Sequence, residues 1–207
     1  MPNWCEQDLI VTGPGASQFA EDVKSEDEVL DTEKIIPMPE TIKHTTAGSI
    51  DRIYEVWYDD NWKVKPFYTD EETREELKNK IREEHPNKDV DHMAATYKYN
   101  LDTYGVKNWY EWAYEIWGTK WGICNSELVD KLSERVEYTF QSAWSPASKI
   151  IEKASRKYPQ LKFYLEYFEA GAGYQGQVVL KGGYLNHFEE AEYDGPRGGE
   201  YDGPRGG

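Results

Sequence analysis

The chain has 207 residues, 38% of them hydrophobic and 14% aromatic, and its 39 acidic and 24 basic side chains give a net charge of −15. That length suits one domain with an insertion, or two small ones, and so many aromatics exclude a disordered chain. A field of this sign repels phosphate backbones and anionic lipid, which excludes duplex DNA and membrane surfaces as general partners.

Aliphatic residues are scarce, so Trp, Tyr and Phe must supply most of the core. Cys5 and Cys124 form no C-x-x-C, and His44, His85, His92 and His187 have no ligand spacing. No metal or cofactor is expected from such a set. The opening "MPNWCEQDLIVTG" has no basic n-region and no long apolar run. It does not read as a leader, and a reducing cytoplasm fits best.

Residues 3–12 alternate, with Cys5, Leu9 and Val11 on one face and Trp4 and Ile10 on the other, which predicts a strand. "GPG" turns the chain, and Ala16, Phe19, Ala20 and Val23 follow helical spacing. "EKIIPMPE" reads as an ordered loop because its prolines forbid a helix or a central strand. "IYEVWYDDNW", 53–62, reads as an edge strand with Ile53 and Trp57 inward. Residues 69–86 predict a polar surface helix with a Thr69/Glu72 capping box and only Leu77 and Ile81 on its apolar face. Residues 87–107 have no firm pattern.

"NWYEWAYEIWGTKWG", 108–122, predicts a helix from about Val106 to Trp117, ended by Gly118. Trp109, Trp112 and Ile116 share one face; Tyr110, Tyr114 and Trp117 share another. A partner strand is expected near 121–127. "RVEYTFQSAW" alternates with Val136, Tyr138 and Phe140 inward and Trp144 in register with them. A helix follows, with Ser145 as N-cap, Pro146 in its first position and Pro159 beyond its end. "LKFYLEYFE", a glycine-rich turn and "QVVLKGG" predict a hairpin. The unit "EYDGPRGG" occurs twice, at 192–199 and 200–207, and reads as a flexible tail over 191–207.

This order predicts an α+β fold: a ferredoxin-like split β-α-β sandwich whose antiparallel sheet is covered by helices on one face. One domain spans 1–190, with a helical insertion at about 25–105. "MPNWCEQDLIVTG", "NWYEWAYEIWGTKWG" and "SAWSPASKIIEKASRKYPQLKFYLEYFEAGAGYQG" resemble the YubB-type ferredoxin-like family. The resemblance spreads between residues 1 and 177, except over 40–100. It implies a ferredoxin-like fold and a plasmid, prophage or phage origin. It implies no established activity and no catalytic residues.

No nucleophile elbow, zinc helix motif, P-loop or dinucleotide fingerprint is present. "TGPGAS" lies where a strand feeds a helix but lacks a P-loop lysine, and "DVDH" reads as solvated side chains. Glu166 and Glu169 flank a strand end and are the acid–base candidates; exposed strand residues are the plainer reading. Trp117, Lys120, Trp121, Trp144 and Tyr174 could converge on a base and its phosphate. Scarcity of aliphatics puts Trp109, Trp112 and Trp144 in the core and leaves Trp117 and Trp121 to reach the surface.

The resulting expectation is a non-enzymatic binding protein of a mobile element, acting on a host protein with a basic surface, in a counter-defence role that only the resemblance suggests. The alternative is a binder of small or cyclic nucleotides or of single-stranded nucleic acid. A hydrolase using Glu169 ranks below both.

Overall fold

The computed structural model describes residues 3–48, 52–60, 62 and 73–195. The chain divides into two compact units, one built from the residues up to Pro37 and from Ile116 onward, the other from Met38–Glu115.

The first unit is a six-stranded sheet with helices on one face. Its strands are β1 (Trp4–Thr12), β2 (Cys124–Leu132), β3 (Arg135–Ala143), β4 (Lys162–Glu169), β5 (Tyr174–Lys181) and β6 (Tyr184–Glu192). The order is β2-β3-β1-β4-β5-β6 and every neighbour is antiparallel. The helices are α1 (Ala16–Asp22), α2 (Thr32–Ile35) and α8 (Ser148–Lys157). α1 lies between β1 and β2 in the chain, and β3 is inserted between those strands in space. α8 lies between β3 and β4, and β1 is inserted between those. Two interlocked split β-α-β units are the ferredoxin-like pattern, here extended by the β5–β6 hairpin.

Alternation sorts the strands as expected. Cys5, Leu9 and Val11 of β1, Val136, Tyr138 and Phe140 of β3, and Phe163 and Leu165 of β4 are all buried. Aromatic rings do hold this layer together. Phe19 of α1 meets Tyr138, Tyr158 and Phe163 edge-on at centroid distances of 6.5, 5.1 and 5.4 Å. Each such pair adds about 0.5–1.5 kcal/mol beyond the area it buries.

Buried Gln7 joins β1 to the entry of α8. Its Oε1 accepts the Ala147 N–H at 2.8 Å, and its Nε2 donates to Ser142 Oγ at 2.6 Å. The expected Ser145 N-cap is therefore corrected. α8 begins after Ala147 with no side-chain cap, and the Ser145 hydroxyl donates to Gly118 O at 2.8 Å instead.

The second unit is helical: α3 (Glu40–Lys43), α4 (Arg52–Tyr58), α5 (Arg74–Glu84), α6 (Val90–Tyr104) and α7 (Trp109–Trp112). α4 overturns the expected edge strand. Its buried residues, Ile53, Val56 and Trp57, follow helical spacing and pack with Leu77, Ile81, Val90 and Ala94. α6 occupies a stretch that showed no pattern. Asp89 caps it by accepting the His92 N–H at 2.9 Å, and Gly105 ends it at φ +78°. The Thr69/Glu72 box lies outside the described residues. The described α5 carries its own, with Thr73 and Glu76 bonding reciprocally. "EKIIPMPE" is not a plain loop, since α2 and α3 each take a single turn at its ends.

After α7 the chain continues in a wider π turn, Ala113–Trp117. β6 runs past the expected start of the tail. Ala191 and Glu192 belong to β6, the Tyr193 N–H donates to Gly173 O at 2.8 Å, and Tyr193 stacks on Phe168 at 4.9 Å. Residues 196–207, which hold most of the repeat, lie outside the described residues. Among the described residues no helix is long and apolar enough to cross a membrane.

Candidate binding surface

Three indoles meet at the end of the sheet where β1 starts and β3 finishes. Trp4 and Trp121 lie 6.0 Å apart between ring centroids, and Trp121 and Trp144 lie 5.8 Å apart, tilted by 35°. Trp121 is 42% and Trp144 40% exposed. Lys120 places its Nζ 5.0 Å from the Trp121 ring and 5.3 Å from the Trp144 ring, so one ammonium touches both π faces. Tyr174, at the start of β5, donates its hydroxyl to Trp144 O at 2.8 Å. Burial, with Cys5 beside it, pushes the Tyr174 phenol above its ordinary range. It holds the backbone beneath the patch and does not act as a free acid.

The local backbone explains which tryptophans come out. Trp144 was expected in the core because alternation carries it inward from Phe140. The strand stops at Ala143, however, and Trp144 takes φ +63°. This left-handed turn is uncommon for a side chain other than glycine, and it throws the indole out of register. The Trp144 N–H is fixed there by Asn3 O at 3.0 Å.

Trp117 departs in the opposite direction. It was expected at the surface but is buried, donating its indole N–H to Ile36 O at 3.0 Å. Helical spacing of 3.6 misplaces it because the π turn adds a residue to the circuit. Trp112 is buried as expected and Trp109 half-buried. Trp4 is the member of the patch that sequence reasoning missed, although its outward position in β1 was legible from alternation.

The two carboxylates do not converge. Glu169 is 2% exposed. It accepts the Gly171 N–H at 2.8 Å and also the Ala172 N–H, closing the β4–β5 turn. A Cβ on Gly171 would lie 2.6 Å from Asn3 Nδ2 and 2.8 Å from Glu169 Oε1, so a larger residue there would displace the Asn3 amide and the Glu169 carboxylate. Glu166 lies on the sheet's opposite, open face. It accepts from the Tyr164 hydroxyl at 2.5 Å, which with partial burial pushes that phenol up to about 12. Asp8 sits directly across from Glu166, and burial together with that neighbour raises its carboxyl above the ordinary range. Asp8 and Glu166 border a shallow depression of about 380 Å³, whose lining also includes Gln175, Gln177 and Glu189. Among the described residues no three His, Cys, Asp or Glu side chains gather as a metal cage.

Residues 116–196 match the model of a family described as the ferredoxin-like domain in Api92-like protein. No curated protein matches the chain. The crystal structure of a protein, Api92 from Yersinia pseudotuberculosis, is similar at a TM-score of 0.45 and 12% identity, over 94% of this chain and 99% of that one. The matched segment runs from the π turn through β6, and with the strand order it shows that the chain carries a ferredoxin-like domain of the α+β class.

Proposed function

We propose that this chain is a non-enzymatic binding protein that grips a basic protein partner through Trp4, Trp121 and Trp144. One observation carries the reading: neighbouring indoles with Trp121 and Trp144 in water, in a chain of net charge −15. Exposed apolar area is costly to leave uncovered, and clustered patches of it mark interaction sites. Trp supplies much of the energy at protein contacts, and the acidic field speeds encounter with a basic surface. Lys120 pins two of the rings in place, which lowers the ordering cost on binding. The sequence likeness to the YubB-type family supports an accessory factor of a mobile element whose partner is a host protein, with counter-defence as its setting.

A nucleotide binder is the second reading, favoured by Lys120 beside two indoles. Ring spacing weakens it. A base between two rings needs about 7 Å, two contact layers of about 3.5 Å each, and Trp121 and Trp144 stand 5.8 Å apart. Acid–base hydrolysis by Glu169 conflicts with the occupation of its carboxylate by backbone N–H groups.

The test is affinity capture from bacterial lysate with the intact protein and with a Trp121→Ala/Trp144→Ala variant of equal stability. A basic partner held by the first, released as salt rises and absent from the second supports the proposal. Equal capture by both rejects it. A several-degree rise in melting temperature with mono- or cyclic nucleotides points to the second reading instead.

A further inference from the structure

The open face of the sheet is sorted by charge. One row across it runs Thr139, Asp8, Glu166, Gln177, Glu189. Four residues along the strands, about 13 Å away, another row runs Arg135, Thr12, Lys162, Lys181, Tyr184. Arg135 is occupied by Glu137 and Asp130. Lys162 and Lys181 have no ion pair or side-chain hydrogen bond among the described residues.

That pair is unusual on two counts. The lysines stand directly opposite each other on β4 and β5, strands with neighbours on both sides, and like charges so placed repel. The chain has 39 acids, yet none described is set against them. Beside the pair lies a depression of about 270 Å³, lined by Lys162, Val179, Lys181, Asn186 and His187. Asn186 is the extra residue of a bulge, since β5–β6 pairing jumps from Val179↔His187 to Leu180↔Leu185. Bulges re-aim side chains, and this one falls beside the two lysines.

We propose that Lys162, Lys181, Asn186 and His187 form a binding site for a small phosphate-class anion. The ammonium groups supply charge and donors, the Asn186 amide supplies a further donor, the His187 imidazole offers Nδ1 while its Nε2 lies 3.6 Å from Glu189, and Val179 gives an apolar floor. A tetrahedral oxyanion between the lysines turns their repulsion into attraction. The volume sits just below the usual range for drug-sized ligands, which fits a phosphate group with little attached. The carboxylate row repels a polyanion extended along the strands, so a polynucleotide is excluded. The site is at the other end of β1 from the indole patch and stands independently of it.

The experiment is calorimetric titration of the full chain with pyrophosphate in phosphate-free buffer, chloride holding the ionic strength constant. Arms with inorganic phosphate and with a nucleoside monophosphate separate a free anion from a phosphomonoester. Wild-type protein binds, Lys162→Gln and Lys181→Gln each weaken binding at least about ten-fold, the loss expected for one charge-assisted contact, and the double variant does not bind. Lys153→Gln, on the exposed side of α8, binds as wild type. Without ligand the double variant melts at or above the wild-type temperature, because the repulsion is gone. Wild type silent to all three anions overturns the proposal, as does undiminished binding by the double variant.

Discussion

Replacing Glu169 by Gln removes one of the two carboxylate acceptors that close the β4–β5 turn. The side chain is 2% exposed and receives the Gly171 and Ala172 N–H groups. Hydrogen bonds to a charged group contribute about 1.5–3 kcal/mol each. Gln keeps a single carbonyl oxygen and turns its NH2 toward the other backbone N–H, so one bond is lost and a donor faces a donor. The expected loss is about 2–4 kcal/mol. For a chain of this size that lowers the melting temperature by roughly 5–15 °C. Urea unfolding is the assay: the midpoint falls while the slope holds, because the surface exposed on unfolding is unchanged. A carboxylate kept for chemistry behaves otherwise, and its removal leaves stability unchanged or raises it. A Glu169→Gln midpoint at or above that of wild type refutes the structural assignment.

Two other substitutions test the packing of each unit. Tyr138 buries its hydroxyl with no hydrogen-bond partner among the described residues, so Tyr138→Phe raises stability by about 1 kcal/mol; a fall in the urea midpoint contradicts this. In the helical unit, hydrogen bonds from Arg82 and from the Trp57 indole hold the Asp91 carboxyl down from 3.8 to about 2. A depressed folded-state value gives stability that is present above pH of about 4 and lost toward pH of about 2. The pair is 36% and 54% exposed, so screening keeps its contribution within about 1 kcal/mol. Asp91→Asn therefore melts below wild type at neutral pH, and the gap narrows as pH falls through this window. A constant gap counts against the linkage.

The sheet was legible because strand alternation is strict and each inward set is large. Leu9, Tyr138 and Phe163 announce their layer without help from tertiary contacts. β2 was found only as a neighbourhood, since its burial pattern alternates weakly along an exposed edge. The insertion was harder. α6 buries Val90, Ala94, Tyr97 and Asn100, a helical stripe hidden by two residues that do not read as apolar anchors. α4 looked like a strand because Ile, Val, Tyr and Trp favour strands locally, while packing against α5 and α6 decides for helix. The site failed at two backbone irregularities. A left-handed residue exposes Trp144 and a π turn buries Trp117, and neither leaves a periodic signal. Lys120, Trp121 and Tyr174 were named for their chemistry, a cation among aromatic rings, and the structure sets Lys120 against the Trp121 and Trp144 rings and Tyr174 against the Trp144 backbone.

The indole patch is tested most directly by surface plasmon resonance of the captured partner against the intact chain and the Trp121→Ala/Trp144→Ala variant. Two hot-spot indoles at about 2 kcal/mol each weaken affinity about 10³-fold when removed, mostly through faster dissociation. Rising salt should slow association with the intact chain, as an acidic surface requires. Equal dissociation constants for the two proteins contradict the account.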